Sequence, residues 1–229
     1  MSTEHEPRAF FGRRKGHPLR PHQTALYATL LPRLTLDIAK PAPADLRTLF
    51  PIAVDEVRLE IGFGGGEHLI GQAKANPNIG FIGVEPFVNG MAKALAAIEA
   101  GNLQNIRLWP ADALHLIAWL PAASFARIDL LYPDPWPKRR HWKRRFVQED
   151  TIAALARLLK SGGEWRYATD IPDYAAWTLA RALRSDDFEW TATCADDWRK
   201  PWPDFSRTRY EAKAVREGRA GNYFTFRKI

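Results

Sequence analysis

The stretch that decides the fold reads Glu56-Val57-Arg58-Leu59-Glu60-Ile61-Gly62-Phe63-Gly64-Gly65-Gly66. Its first six residues alternate polar and apolar side chains, which predicts a strand that ends at Ile61. The glycines that follow let the chain turn tightly and bring its backbone close to a ligand. A helical pattern over 67–75 comes next, so this stretch predicts the first strand, turn and helix of a parallel sheet.

The same alternation of strand and helix continues to the end of the chain. Further strands are predicted over 80–85, 105–109, 127–132, 164–169, 188–194 and 222–227. Helices are predicted over 24–38, 87–100, 113–120 and 174–183, with one more through 152–159 that ends at Gly162-Gly163. Short strands alternating with helices indicate an α/β protein with a mostly parallel, doubly wound, seven-stranded sheet. Such sheets bind ligands outside the carboxyl ends of their strands.

Length and composition indicate one globular domain with an extension. The chain has 229 residues, of which 46% are hydrophobic and 26% charged. We predict a basic N-terminal extension over 1–50 and a main domain over 51–229. No stretch approaches the roughly 18 apolar residues of a membrane span, and the first residues carry no apolar signal core, so we expect a cytoplasmic protein.

Cys194 is the single cysteine, which excludes an internal disulfide. We expect no metal site, and we expect the thiol of Cys194 to be partly buried.

The net charge of +7 is concentrated in two segments. Residues 8–20 hold five Lys or Arg and no acid, and residues 138–145 hold six. Clustered basic side chains are the electrostatic footprint of a polyanion. Because one of these runs is attached to the end of a predicted strand, we expect a nucleic-acid partner.

The glycine turn favours one cofactor over another. In the dinucleotide fingerprint the last glycine would stand at Glu67, where a carboxylate repels a pyrophosphate, so a nicotinamide or flavin dinucleotide is disfavoured. The acid Glu60, just before Gly62 and Gly64, instead suits the ammonium and sulfonium of S-adenosylmethionine.

Two further acids follow the next strands. Glu85 ends the second predicted strand and suits the two hydroxyls of a ribose, because an ionised carboxylate only accepts hydrogen bonds. Asp112 follows the third strand, where it either accepts from an adenine amino group or simply caps the next helix. A glycine turn and two strand-end acids together predict a site for S-adenosylmethionine.

The fourth predicted strand ends in Tyr132-Pro133-Asp134-Pro135-Trp136-Pro137. Prolines lack a backbone donor and restrict the residues before them, so this segment holds one carboxylate and one aromatic ring rigidly at a strand end. The basic run begins immediately afterwards. A lone acid, a stacking platform and phosphate-attracting side chains predict a site for a nucleic-acid base, with Trp136 either stacking on the base or packing the loop.

With these residues placed, the chain resembles the bacterial tRNA (guanine-N7-)-methyltransferases, the TrmB family, over nearly its whole length. The matching pieces are Arg13-Arg14-Lys15-Gly16, residues 59–64, Gly83-Val84-Glu85, residues 133–145, Ala168-Thr169-Asp170 and Thr208-Arg209-Tyr210-Glu211. The resemblance implies a Rossmann-like S-adenosylmethionine-dependent methyltransferase fold. It also implies methyl transfer to N7 of the guanine at position 46, in the variable loop of tRNA.

The resemblance assigns roles residue by residue. It places Glu60, Glu85, Asp112 and Asp134 at the cofactor, Lys138, Asp170, Thr208, Arg209, Tyr210 and Glu211 at the substrate, and Arg140, His141, Trp142, Lys143, Arg144 and Arg145 on the RNA. Asp134 is our predicted catalytic residue, because a fixed carboxylate orients the guanine and offsets its positive charge. From pattern alone Asp170 either binds the purine edge or caps a helix. The enzyme would act as a monomer or homodimer without an obligate protein partner.

The chain departs from the family in two places. It reads Gly16-His17-Pro18-Leu19-Arg20 where Gly-Arg-(Leu/Met)-Thr is frequent, and Tyr132 stands where Phe is common. Two alternative functions also stay open. One is methylation of the N6 amino group of adenine, whose Asp-Pro-Pro-Trp-like loop is similar but carries a second consecutive proline. The other is a non-enzymatic RNA-binding protein on the same fold, which the glycine turn with Glu60 and Glu85 disfavours.

Overall fold

The computed structural model describes residues 11–229, so Arg8 of the first basic run lies outside the described residues. Seven strands are β1 (Glu56–Ile61), β2 (Ile79–Val84), β3 (Ile106–Trp109), β4 (Phe125–Leu131), β5 (Leu159–Thr169), β6 (Phe188–Trp190) and β7 (Asn222–Lys228). The helices are α1 (Pro21–Thr29), α2 (Leu31–Leu34), α3 (Glu67–Ala75), α4 (Val88–Gly101), α5 (Ala113–Trp119), α6 (Glu149–Leu158), α7 (Pro172–Ala182), α8 (Asp196–Arg199) and α9 (Arg209–Arg216). Two 3₁₀ helices cover Leu46–Leu49 and Arg139–Arg144.

The strands form one seven-stranded sheet in the order β3-β2-β1-β4-β5-β7-β6. Strands β1 to β5 run parallel, and β7 inserts antiparallel between β5 and β6. Glu60 pairs with Gly83 on one side and Asp129 on the other, so the carboxyl ends of β1, β2 and β4 meet at one edge. The chain order reverses between β1 and β4, which is where doubly wound sheets bind their ligands.

Helices cover both faces of the sheet and bury two apolar clusters. One cluster joins α5, α6 and α7 to the sheet around Trp165 and Tyr167, both 0% exposed. The other joins α3 and α4 to β2 and β3 around Leu69, Met91 and Leu95, all 0% exposed. Burial of large apolar side chains is the main stabilising contribution to such a core. The six buried residues of β2 show why a central parallel strand is apolar along its length.

The described part of the predicted extension packs on this core. Leu26, Leu31 and Leu34 join the cluster of α3 and α4, while Leu46 and Phe50 join the cluster on the other face. The division of the chain at residue 51 stays a prediction.

Two predicted helices differ from those observed, and local chain geometry explains each difference. The single helix over 24–38 is two helices, because Pro32 begins a new one at its second position. The predicted helix stop at Gly162-Gly163 is wrong, since α6 ends at Leu158 and both glycines lie in β5. Gly162 has a φ of +75°, and the register of β4 against β5 shifts nearby, which indicates a bulge.

The segment before β7 contains more structure than the sequence predicted. The strand over 188–194 stops at Trp190, and Cys194 is exposed rather than partly buried. The insert between β6 and β7, residues 191–221, contains α8 and α9, and its Asp204 binds the buried Arg127 at 2.8 Å and Arg166 at 2.7 Å. These ion pairs fix the insert against the sheet.

The described residues contain neither a membrane-spanning helix nor a group of metal-ligating side chains. From residue 11 onward, none of the helices combines the length and apolar character needed to cross a membrane. Over the same part of the chain, no three His, Cys, Asp or Glu side chains are grouped as metal ligands.

Candidate active site

A cavity of about 470 Å³ opens at the carboxyl ends of β1, β2 and β4. Ile61, Val84 and Leu130 contribute one wall residue from each of these three strands. The volume falls within the range of small-molecule sites, and the position is the switch point of the sheet. The predicted cofactor residues Gly62, Gly64, Glu85, Asp112 and Asp134 all line this cavity.

The glycine turn supplies the backbone floor of the cavity. Gly62 and Gly64 have φ values of +74° and +60°, a conformation that L side chains rarely adopt. The turn is also packed tightly from the other side, because a Cβ on Gly90 of α4 would lie 2.1 Å from the carbonyl oxygen of Gly64. Only glycine at these positions lets α4 and the turn approach so closely.

Glu85 is buried beside this turn, and its carboxylate can accept further hydrogen bonds. Its carboxylate accepts from the backbone N–H of Gly64 at 2.6 Å and of Phe87 at 2.8 Å. Burial raises the pKa of Glu85 to about 7, although both hydrogen bonds favour the ionised form. Each carboxylate oxygen keeps a lone pair free, which suits two hydroxyl donors on a ligand.

Asp112 has one of the two roles that the sequence left open for it, the helix cap, and its contact with an adenine amino group stays a prediction. Its side chain caps α5 by accepting from the N–H of Leu114 at 2.9 Å, and the residue also lines the cavity. Phe87 and Leu114 line the cavity as well, although the sequence analysis did not single them out. Phe87 follows a strand-end acid by two residues, which is the signal that would have found it.

The side chain of Glu60 lies outside the cavity. Its side chain is only 5% exposed and does not line the cavity, and its carboxylate is 2.8 Å from His68 Nδ1. Burial raises the pKa of Glu60. Because side chains alternate along β1, the backbone of Ile61 and Gly62 faces the cavity while the carboxylate of Glu60 turns under α3. In this structure the carboxylate of Glu60 is held by His68, and its direct contact with the cofactor stays a prediction.

The segment after β4 carries Asp134 on a strained backbone. Tyr132 and Trp136 have φ values of +50° and +43°, which costs on the order of 1–3 kcal/mol for each non-glycine residue. Asp134 lies between them at the cavity, and the surrounding protein raises the pKa of its carboxyl by desolvation. Strain of this kind is typical of residues whose position is fixed for function.

Arg144 and Trp136 form the mouth of the cavity with the N-terminal segment. The Arg144 guanidinium lies 5.0 Å from the ring centre of Trp136 and 4.8 Å from that of Phe11. His141 meets Trp136 edge to face at 5.9 Å. Trp136 therefore packs the loop and also presents part of its ring to the cavity, so both predicted roles remain available.

The other residues predicted to meet RNA divide into two groups. Lys138, Arg140 and Lys143 are exposed, and Lys143 also lines the cavity. Trp142 is half-buried and packs edge to face on Trp177 at 5.4 Å. The exposed cations fit a contact with phosphates, whereas Trp142 mainly anchors the 3₁₀ helix of the basic run.

Arg145 corrects the prediction that all of 140–145 faces RNA. Its side chain is 0% exposed, pairs with Asp173 and donates through Nε to the carbonyl of Pro135 at 2.8 Å. Its guanidinium also lies within about 5 Å of the rings of Tyr174 and Trp177. A cation enclosed by aromatic rings is stabilised there and has no surface left for a phosphate. Arg145 instead ties the Pro-Asp-Pro segment to α7.

This anchoring role has a stability consequence. We expect Arg145→Met to lower the free energy of unfolding by about 3 kcal/mol, because it removes a buried network and several cation–π contacts. Urea denaturation measures the change. Arg140→Met is the matched control, and its effect should stay within about 0.5 kcal/mol because the side chain is exposed. Equal stabilities of the two variants would contradict this assignment.

The segment 208–211, called substrate-binding from the resemblance, begins α9. Thr208 caps this helix by accepting from the N–H of Glu211 at 3.1 Å. Arg209 and Tyr210 line the cavity, and the Arg209 guanidinium stacks 4.9 Å from the Tyr210 ring centre. Glu211 is buried and points away from the cavity to Tyr223.

The two remaining predicted substrate residues lie outside the cavity. Asp170 accepts from Arg219 Nε at 2.6 Å, and it does not cap α7, whose N-cap residue is Ile171. Lys138 is exposed where the 3₁₀ helix of the basic run begins. Their assignment to the substrate stays a prediction.

A glycine turn, a strand-end acid beside it and a cavity at the switch point of a seven-stranded sheet define an S-adenosylmethionine-dependent methyltransferase. A family model described as "Putative methyltransferase" matches residues 55–223. The chain is 61% identical over 227 residues to a tRNA (guanine-N(7)-)-methyltransferase of Rhodopseudomonas palustris strain BisB5, covering 99% of this chain and 89% of that protein. It is 62% identical over 221 residues to the tRNA (guanine-N(7)-)-methyltransferase of Bradyrhizobium diazoefficiens, covering 96% and 94%. The chain belongs to the tRNA (guanine-N7-)-methyltransferase family.

Solved structures with low sequence identity support the fold. The 16S rRNA methyltransferase KamB has a TM-score of 0.57 at 16% identity, covering 82% of this chain and 95% of that one. Precorrin-6y C5,15-methyltransferase from Geobacter metallireducens has a TM-score of 0.53 at 16% identity, covering 82% and 94%. These structures confirm the predicted Rossmann-like fold with its mostly parallel sheet. Membership of the methyltransferase family confirms S-adenosylmethionine as the methyl donor.

Proposed function

We propose that this protein methylates N7 of the guanine at position 46 of tRNA, and that Asp134 is its catalytic residue. The observation that carries the residue assignment is Asp134 on a strained loop at the cofactor cavity, beside the exposed basic run. S-adenosylmethionine supplies, when bound, a methyl group on a cationic sulfur.

The cavity residues fit this cofactor by their donors and acceptors. The free lone pairs of Glu85 suit the ribose hydroxyls, and Asp112 suits an adenine amino group. The glycine turn offers an uncrowded wall, since nothing lies within 4 Å of a Cβ built on Gly62. We assign Gly62, Gly64, Glu85 and Asp112 to cofactor binding.

The chemistry of the acceptor explains why one acid suffices. Guanine N7 carries a free in-plane lone pair and no proton, so no general base is needed before the attack. The protein has to hold N7 in line with the methyl carbon, with the reacting atoms about 3–3.5 Å apart. Asp134 accepts from the N1 and N2 donors of the guanine and so fixes its orientation. Its negative charge also stabilises the positive charge that spreads over the methylated ring.

Incubation with unmodified tRNA and labelled cofactor tests the proposal. N7-methylguanine is alkali-labile, so strand scission after mild base treatment maps the modified base directly. Scission at position 46 supports the proposal, whereas label on an adenine or at another guanine would contradict it.

The proposed substrate also indicates where the enzyme acts, and the site indicates how many chains it needs. Bacterial tRNA resides in the cytoplasm, and every residue assigned here comes from one chain, which is compatible with a monomer or a homodimer.

The exposed basic run is assigned to phosphate contacts. We expect tRNA affinity to fall steeply with salt, because each cation that neutralises a phosphate releases counterions. The triple variant Lys138→Gln, Arg140→Gln, Lys143→Gln should flatten the slope of log K against log salt by about 2. Filter binding at several salt concentrations measures the slopes. Arg184→Gln, an exposed cation beyond the end of α7, is the matched control, and an unchanged slope in the triple variant would contradict this assignment.

A further inference from the structure

A chain of three polar groups, the half-buried Tyr132 and the buried Tyr223 and Glu211, links the two walls of the cavity. Tyr132, at the end of β4, has its hydroxyl 3.1 Å from that of Tyr223 on β7. Tyr223 in turn donates to Glu211 Oε1 at 3.0 Å, in the first turn of α9. Tyr132 begins the loop that carries Asp134, and Glu211 directly follows Arg209 and Tyr210, which line the opposite part of the site.

The direction of the two hydrogen bonds follows from the number of protons. Tyr223 has one hydroxyl proton and donates it to Glu211, so at the Tyr132 contact its oxygen accepts and Tyr132 donates. Burial raises the pKa of Tyr223 to about 12 and also raises that of Tyr132, so both hydroxyls keep their protons at neutral pH. Tyr223 therefore accepts a hydrogen bond from Tyr132 and donates one to Glu211.

We propose that Tyr223 and Glu211 are positioning residues for the reaction, which together with Tyr132 hold the Asp134 loop in register with the start of α9. The inference rests on the proposed function of Asp134 as the group that orients guanine. It assigns Glu211 a different role from the direct substrate contact implied by the family resemblance.

The local geometry shows why such a link is needed. The loop leaves β4 with Tyr132 at a φ of +50°, and the backbone N–H of this residue is held by the carbonyl of Ala168 at 2.7 Å. At its far side the carbonyl of Pro135 is held by Arg145. The hydroxyl of Tyr132 is a further point of attachment, and through Tyr223 it connects the loop to α9.

Glu211 is placed to act through Tyr223 rather than on the substrate. It is 5% exposed, and it does not line the cavity that contains Asp134. Its carboxylate lies at the N-terminal end of α9, where a negative charge is favourable. The acid therefore fixes the helix start, and with it the stacked pair of Arg209 and Tyr210.

Substitutions that keep the rings but remove single hydrogen bonds test the link. Tyr223→Phe should lower kcat on tRNA about tenfold, while the KM for tRNA and the Kd for S-adenosylmethionine stay within about twofold. Tyr132→Phe should lower kcat by a similar factor, because it disconnects the Asp134 loop from Tyr223 even though Tyr223 still donates to Glu211. Tyr27→Phe, a half-buried tyrosine on α1, is the matched control and should leave kcat unchanged.

Variants of Glu211 separate positioning from direct contact. Glu211→Gln should keep kcat within about threefold, because its amide oxygen still accepts from Tyr223. Glu211→Leu should resemble Tyr223→Phe, and the double variant should be no worse than either single one, since both remove the same link. Additive losses, or a raised KM for tRNA in Glu211→Gln, would overturn the proposal in favour of a direct substrate contact.

Hydrogen exchange gives a readout that does not depend on turnover. In Tyr223→Phe, the backbone amides of both 132–142 and 207–212 should exchange faster than in the unsubstituted protein, while Tyr27→Phe leaves both segments unchanged. Unchanged exchange in either segment would overturn the proposed link. An enzyme that fails to methylate tRNA but shows this coupled exchange would contradict the proposed function and leave the link supported.

Discussion

Asp134→Ala is expected to lower kcat on tRNA by about a thousandfold while the Kd for S-adenosylmethionine changes less than about threefold. The loss follows because the carboxylate both orients the guanine and offsets its developing charge, and one such electrostatic group contributes on the order of 10²–10³ in rate. Cofactor binding persists because Glu85 and the glycine turn remain in place. Single-turnover methylation and calorimetric titration measure the two quantities separately.

Two further variants sharpen this test. Asp134→Asn keeps the size of the side chain but puts an amide group beside the N1 and N2 donors of guanine, so it should be nearly as inactive as the alanine variant. Asp186→Ala removes an exposed acid in the turn between α7 and β6 and should have no effect. Substantial kcat in Asp134→Asn would mean that the charge is not required.

Glu85→Ala is expected to raise the Kd for S-adenosylmethionine about a hundredfold. Two hydroxyl hydrogen bonds to a buried carboxylate contribute roughly 3 kcal/mol together, which corresponds to this factor. Glu85→Gln should lose about tenfold, because an amide oxygen replaces only part of the accepting capacity. Calorimetry on the two variants measures the losses, and an unchanged Kd in Glu85→Ala would contradict the ribose assignment.

The same residue predicts how cofactor affinity depends on pH. The pKa of Glu85 is raised to about 7 by burial, so part of the free protein carries the protonated acid at neutral pH. Only the ionised carboxylate accepts from both hydroxyls, and affinity should therefore rise as pH increases from 6 to 8. Glu85→Gln cannot ionise and should remove this rise.

The sequence predicted the sheet well because its signals are local. The alternation in 56–61 and the glycines after it depend only on neighbouring residues, and both appear where predicted. The acids Glu85, Asp112 and Asp134 also converge at one cavity, because the carboxyl ends of parallel strands meet at one edge. The topology of the sheet therefore brings these three acids together, and the alternation of strands and helices in the sequence was enough to predict that topology.

Side-chain direction was less accessible to sequence analysis. Glu60 and Arg145 each stand beside residues that reach the cavity or the surface, but their side chains turn into the protein. Their partners, the buried His68 and the exposed Asp173, come from other elements, so no pattern within either segment identifies them. From sequence alone, Arg145 is predicted to be exposed like the rest of the basic run, and only the structure shows the aromatic rings that enclose it.

The wall formed by α9 could not be read from local pattern at all. Its sequence is strongly polar and carries no pattern typical of a cavity wall, so only the family resemblance pointed to Arg209 and Tyr210. The helix is held by distant contacts, through Glu211 to Tyr223 and through Asp204 to Arg127 and Arg166. Contacts between residues far apart in the chain decide this part of the site.

The close packing of Gly90 on the carbonyl of Gly64 limits how this enzyme can be engineered. Exchanging helix glycines for alanine is a common route to a more heat-resistant protein, since it restricts the unfolded chain. At Gly90 the added methyl group would instead press on the turn that carries the cofactor wall. A thermostabilised variant would have to leave this helix position alone and seek its gains elsewhere on the surface.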